Sequence, residues 1–467
     1  MASPPKLEPK PEPEAGLTDY ERRREENIRR NDAILASIRR EAAELSASFR
    51  IPSLKRPRRQ QQPPQPRSTS PVVLRRSLRT RGIPPSASSA SASPATPPSP
   101  PKPKSTRFSS ALAASLRASA DAADDDAAAP MTEDGFDAAK ELVMRPADVR
   151  RVVPFRILSV RILPLADRTV VAAGNKLGHV GLWDVDGLVE EEEDGDGADR
   201  VFQYFPHGGP VGGIVAHPAT PRKIYSCSYW GELCLMDVDK EIFDTIQICE
   251  YPIFTLCQAP SSPSCLYFGE GNGELKLFDE RVGKVATTWN AHDTRINSID
   301  FHPENPNMLA TGSTDRTACL WDLRRMKKKA PESLKVFKHN RTVHSAYFSP
   351  SGGMIATTSL DDTVRIFDLH NSASCILSHN NQTGRWLSTF KAVWSWNDTD
   401  LFIGNMKRAI DVISIDRSEN SLSASNTVSL QSEYMTAIPC RFALHPYKIG
   451  HLACASSGGK VFLWTRA

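Results

Sequence analysis

The stretch Leu309-Ala-Thr-Gly-Ser-Thr-Asp-Arg-Thr-Ala-Cys-Leu-Trp-Asp322 decides the fold. Small and apolar residues alternate on either side of a tight Gly/Asp turn, which reads as two strands of one antiparallel hairpin. From Arg150 onward the chain repeats this strand, turn, strand pattern, each copy closing on an aromatic or large apolar residue that is usually followed by Asp. The weaker copies end at Trp183-Asp184, Met236-Asp237, Phe278-Asp279, Phe367-Asp368, Ile413-Ser414 and Trp464, so that with Trp321-Asp322 there are seven.

The best copy resembles the WD-repeat consensus, and the spacing is that of propeller blades. The fold expected is therefore all-β, a seven-bladed WD-repeat β-propeller over residues 136–467, since seven blades close a ring comfortably. The chain stops soon after Trp464, before the last blade can form its outer strand. Residues near Ala139 to Val149 are the expected donor, closing the ring without a covalent link. The run Glu190 to Asp196 reads as an acidic loop of the first blade, to which no function is assigned.

Two constellations imitate chemistry. His292, Thr311, Asp315 and Trp321 suggest a nucleophilic triad, yet His339, Thr357 and Asp361 repeat the set one blade later, and a motif repeated per blade is architecture. Gly269-Glu-Gly-Asn-Gly273 suggests a phosphate cradle, but a strand rather than a helix follows it. The nine cysteines, Cys227 to Cys454, form no C-x-x-C pair and no zinc spacing. No cofactor, no metal and no enzymatic activity are expected. No apolar run approaches 18 residues, which argues against a membrane partner and for a reducing compartment.

Net charge is only +4, but its sign is segregated: between Leu45 and Ala120 stand 14 Lys/Arg and no Asp/Glu. Such a stretch repels itself and is drawn to polyanions. Residues 1–135 are read as a disordered basic arm holding one amphipathic helix, about 18–46. Thr18 and Glu21 fit a capping box there, and Ile28, Ile34, Leu35, Ile38 and Leu45 recur at helical spacing. Either that helix docks on a partner or on the propeller, or it is merely solvated. Lys55-Arg56-Pro57-Arg58-Arg59 suits capture by a nuclear import receptor, which places the protein in the nucleus. Ser, Pro and Ala then dominate a linker to about Ala120.

In propellers the turns between second and third strands, and the loops between blades, open on one face, here called the top. By repeat alignment those turns carry Lys176, Trp230, Arg316, Lys407, Arg408 and Lys460, and the loops carry Arg295, Arg341 and Arg385. Cations neutralise phosphates and exposed Trp stacks on bases, so this face is expected to bind DNA. On the opposite face Trp321-Asp322-Leu323-Arg324 and Phe278-Asp279-Glu280-Arg281 present D-x-R in adjacent blades. They resemble the W-D-x-R box of substrate receptors that dock on the damage-binding adaptor of cullin-four ubiquitin ligases. That resemblance implies adaptor-binding roles for Asp279, Arg281, Trp321, Asp322 and Arg324.

His379-Asn-Asn-Gln-Thr-Gly-Arg-Trp-Leu-Ser-Thr-Phe-Lys-Ala-Val-Trp394 is unlike an ordinary inter-blade loop. With Leu17-Thr-Asp-Tyr-Glu and Glu26-Asn-Ile-Arg-Arg-Asn31 it resembles the DNA-damage-binding WD-repeat family related to WD-repeat protein seventy-six. The family is similar to the small subunit of the ultraviolet-damage DNA-binding complex, which puts a hairpin into the lesion here. In this chain Gln382 to Trp386 take that place, with Gly384, Arg385 and Trp386 instead of an apolar wedge. Trp386 either stacks on DNA or packs against Phe390 or Trp394.

The resemblance implies a nuclear DNA-binding protein of the damage response, its partners being DNA, damaged DNA included, and the ligase adaptor. The competing reading is a scaffold that binds histones or other chromatin peptides at the top opening, with the basic arm serving only import.

Overall fold

A computed structural model describes residues 29, 108, 112–116, 136–187, 200–217, 222–260, 262–328, 330–371, 373–418 and 421–467. The helix read over 18–46, apart from Arg29, lies outside them, as do Lys55, Arg56, Arg58, Arg59 and the Glu190 to Asp196 run.

Seven antiparallel sheets follow one another as the blades of a β-propeller. Their innermost strands are Ile157–Ile162, Val211–Ala216, Ile253–Ala259, Ile296–Phe301, Val343–Phe348, Val393–Trp394 and Pro439–Leu444, in blades 1 to 7. Leu309 to Asp322 supplies the second and third strands of blade 4, Met308–Ser313 and Thr317–Asp322, with Thr311 opposite Cys319. Between blades the core is apolar: Trp183, Tyr225, Phe268, Phe278, Phe402 and Phe462 are wholly buried. Burial of this kind, about 1.5–3 kcal/mol for each large side chain, is what holds sheet on sheet.

Blade 7 closes the ring with borrowed chain. Lys460–Arg466 pairs antiparallel with Leu142–Val143 and, after a 3-10 turn over Pro146–Asp148, with Val149–Arg151. The donor thus falls within and just beyond the 139–149 segment expected from the sequence. It is broken in two because Pro146 has no N–H for a ladder. Phe136, Leu142 and Met144 sink into the seam between blades 6 and 7, Phe136 edge-on to Trp396 at 5.2 Å.

The stretch read as linker has structure that its Ser/Ala composition hides. Residues 112–116 are helical, and Leu112 and Leu116, with Phe108, are buried against blades 1 and 2. Phe108 meets Phe202 edge-on at 5.0 Å, and its N–H donates to Glu241. Three apolar residues among polar ones were too sparse to show periodicity, yet one short amphipathic turn suffices to anchor them.

Candidate nucleic-acid interface

In blades 1 to 5 the second-to-third-strand turn is tied to the loop that enters its own blade. The N–H groups of Lys176, Tyr229, Gly271, Thr314 and Leu360 donate to the carbonyls of Arg156, Pro210, Pro252, Arg295 and Thr342. Turns and inter-blade loops therefore share one face, and the ten residues assigned to the top sit on it. Lys176, Arg316, Arg341, Arg385, Lys407 and Arg408 are exposed. Lys460 is half-buried, its Nζ 3.2 Å from Thr436 Oγ1. Arg295 differs from its neighbours in pointing inward: it lies over the Phe254 ring at 4.5 Å and donates to Asn297, at the mouth of the axial channel.

The WD core network stiffens this face. His292 Nδ1 and Nε2 lie 2.8 Å from Asp315 and 2.6 Å from Thr311 Oγ1, while Trp321 Nε1 donates to the same hydroxyl at 2.8 Å. Burial works against the Asp315 charge, but the bonds from His292 and Thr317 outweigh it and take its pKa down to about 2. In blade 5, His339 stands 3.2 Å from Thr357 and 3.8 Å from Asp361, and burial lowers its pKa to about 4. In blade 4 the set is used in holding the blade to its turn, while in blade 5 His339 Nδ1 stays buried without a hydrogen-bond partner. Gly269 to Gly273 likewise runs from strand into turn, and Gly273 (φ 90°) sits where a Cβ would meet the His292 carbonyl at 2.0 Å.

One turn position is left-handed in every blade. Gly178, Gly231, Gly273 and Gly459 fill it in blades 1, 2, 3 and 7, but Arg316 (φ 74°), Asp362 (φ 60°) and Arg408 (φ 61°) fill it in blades 4, 5 and 6. A side chain there is strained by about 1–2 kcal/mol, so two arginines are kept on the top against a local cost. Replacing Arg316 and Arg408 by Gly is expected to raise stability by about 1 kcal/mol each. Thermal unfolding checks this, and a lowered Tm would contradict it.

The blade 5 to blade 6 connection is built to project. Asn381 Nδ2 donates to the Ser359 carbonyl, and Gln382 Nε2 to that of Leu360. The chain then crosses to other blades: Ser388 Oγ donates to the Ile157 carbonyl at 2.7 Å, and its N–H to Ser457 Oγ. From blade 1, Arg156 Nη1 donates to the carbonyls of Arg385 (2.7 Å) and Leu387. Between these anchors Gly384 (φ 63°) makes the turn that presents Arg385 and Trp386. Trp386 is 81% exposed, whereas Phe390 and Trp394 are buried, Trp394 donating to the Tyr347 carbonyl. The packed alternative for Trp386 is thereby excluded. Trp230, 65% exposed, lies against the backbone of Gly208 and Gly209, where a Cβ would strike its ring.

Opposite, Arg324 grips its own Asp322 through Nε (3.0 Å) and Nη2 (2.9 Å), and Arg281 grips Asp279 likewise at 3.2 and 2.9 Å. Both guanidinium groups remain exposed, with side chains 66% and 72% accessible. Trp321 must be withdrawn from the residues that could touch a partner there: it is buried in the His292 and Thr311 network. Sequence reading also missed Arg156, Lys391 and Arg441 in the channel. Their signal was position, just ahead of or within innermost strands whose alternate residues face the axis.

These features define a WD-repeat β-propeller, and a model of the WD domain, G-beta repeat, matches residues 283–322 and 331–368. The chain is a homologue of proteins named WD repeat-containing protein 76 and DNA damage-binding protein cmr1. It is 34% identical over 280 residues to the former from Xenopus laevis, across 57% of this chain and 46% of the relative. With the same-named protein of Mus musculus it shares 29% over 486 residues, 96% of this chain and 75% of the relative. It is 28% identical to the cmr1 protein of Aspergillus terreus over 356 residues, 67% of this chain and 65% of that one. The chain spans from about half to two thirds of the length of the first two relatives.

Proposed function

We propose that this protein binds DNA through the top face of its propeller and acts in the response to DNA damage, as a scaffold without catalysis. The observation that carries the reading is the Gly384-Arg385-Trp386 tip, an exposed indole beside a guanidinium on a loop pinned from two other blades. The loop that carries the indole is already ordered, so little backbone freedom is lost on stacking, and base stacking on an aromatic side chain is worth about 1–3 kcal/mol. The names of the relatives, damage-binding proteins among them, support the same reading. Trp386→Ala is expected to weaken duplex binding about 5- to 150-fold while leaving the fold intact, the loss being greatest where bases are already unpaired. Fluorescence anisotropy with matched and lesion-bearing duplexes measures it. Unchanged affinity for both would remove the tip from the interface.

The bottom face favours a second role, docking on the damage-binding adaptor of a cullin-four ligase. Arg281 and Arg324 are held extended by their own carboxylates yet remain exposed, so little side-chain freedom is lost on contact. Arg324→Ala is expected to reduce co-purification of the adaptor without altering DNA affinity. Equal recovery of adaptor would exclude the docking role. Residence in the nucleus, read from Lys55, Arg56, Arg58 and Arg59, belongs to the same proposal, and histone binding is the competing use of the top opening.

A further inference from the structure

The axial channel collects positive charge without matching it. Arg156, Arg161, Arg295, Lys391 and Arg441 line two contiguous cavities of about 280 and 210 Å³ that share Leu158, Gly212, Lys391 and Arg441. Among the lining residues the one carboxylate is Asp300. It already accepts the Phe348 N–H at 2.8 Å, and burial pushes its pKa up to about 7. It is a poor counter-ion.

The hydrogen bonds these cations make to described residues all end on neutral acceptors. Lys391 Nζ donates across the channel to the Asn297 carbonyl at 2.8 Å. Arg441 donates to the carbonyls of Leu158, Thr389 and Cys440 and to Thr389 Oγ1. Arg295 Nε bonds the Asn297 amide oxygen, Arg156 Nη1 two loop carbonyls, and Arg156 Nε is buried without a partner. The Arg161 side chain makes no hydrogen bond to any described residue, only its backbone pairing, with Ala172 of the neighbouring strand. Burial, together with Arg441, Arg295 and Arg161, drives the Lys391 pKa well down. Arg156, Arg295, Lys391 and Arg441 are half-buried and Arg161 is exposed to the channel. Crowded like charges without counter-ions oppose folding, and an anion entering the channel relieves them.

We propose that the axial channel is a binding site for a phosphate chain, a phosphoanhydride or a terminal phosphate ester, lying along the axis between the Arg156 and Arg295 mouth and Arg161. Guanidinium forks match phosphate oxygens two at a time, and five cations spread along one line suit a ligand carrying charge at each step. The upper mouth shares Lys176 and Arg295 with the top face, but Arg341, Lys407 and Trp386 do not line the channel and Arg161 lies in its lower cavity, so either function can fail alone.

The test is titration calorimetry and thermal shift on the full chain with sodium tripolyphosphate, against sodium chloride of equal ionic strength. Saturable binding that raises Tm is expected. Lys391→Met is expected to be more stable than the unmodified protein without ligand, and at least 10-fold weaker for tripolyphosphate. Arg161→Gln, whose side chain faces Asp300 and Lys391 electrostatically but makes no hydrogen bond within the described fold, should also bind at least 10-fold more weakly. A rim variant, Arg341→Glu with Lys407→Glu, should bind tripolyphosphate as the unmodified protein does. Competition by a 5′-phosphorylated but not a 5′-hydroxyl oligonucleotide would assign the natural source to a nucleic-acid end, and competition by neither to a free polyphosphate. No saturable stabilisation by tripolyphosphate, stabilisation by polyglutamate alone, or equal binding by Lys391→Met and Arg161→Gln would each overturn the proposal.

Discussion

Deleting residues 1–151 is expected to abolish folding of the propeller, although the central hairpin of every one of the seven repeats remains. The deletion strips the partner strands Leu142–Val143 and Val149–Arg151 from Lys460–Arg466, leaving a bare edge on blade 7. It also removes six large buried apolar side chains, Phe108, Leu112, Leu116, Phe136, Leu142 and Met144. At about 2 kcal/mol each these amount to roughly 12 kcal/mol, comparable to the whole stability of an ordinary domain. Deleting residues 1–135 is expected to be milder, because it takes only the first three and leaves the closing strands. Circular dichroism melting distinguishes the cases: a cooperative melt for the shorter deletion and none for the longer. A cooperative, native-like melt for the longer one would mean the ring closes without its borrowed strands.

Much of this architecture was legible because each blade repeats one pattern. Leu309 to Asp322 contains a hairpin, a network and a turn in 14 residues, and the weaker copies needed only the same spacing. The tip at Gly384 to Trp386 was legible for the opposite reason, being a departure from the repeat. What escaped depended on contacts remote in the chain. Whether Trp386 packs or projects is decided by Arg156 and Ser457, 230 and 71 residues away (386 − 156 and 457 − 386), and local sequence holds no trace of either. Trp321 carries the repeat's signature at the D-x-R box, yet its indole turns inward to Thr311, so a motif residue is not thereby a contact residue. Arg295 aligned with Arg341 and Arg385 by loop position, but Phe254 and Asn297 draw it to the channel. The helix at 112–116 escaped because three apolar residues spread over nine positions do not rise above their Ser/Ala surroundings.

Reversing charge on the top rim is expected to have the largest effect on DNA. Arg341, Arg385 and Lys407 are exposed, lie on three different loops and turns, and hold no described part of the fold together with their side chains, so Arg341→Glu, Arg385→Glu and Lys407→Glu leave the blades undisturbed. Each phosphate contact contributes about 0.9 to the slope of log affinity against log salt, so losing three should flatten the slope by roughly three. Affinity at moderate salt should fall on the order of 100-fold, since each cation becomes a repelling anion. Sequence-independent binding by the basic arm would survive the change, which is why the slope and not affinity alone is decisive.

The most direct measurement is therefore anisotropy of a labelled duplex across a salt series, for the full chain and for this triple variant, with unfolding checked in parallel. DNA recognition by the top face predicts a steep slope that becomes shallower by about three in the folded variant. An identical slope and affinity for the two proteins would contradict it.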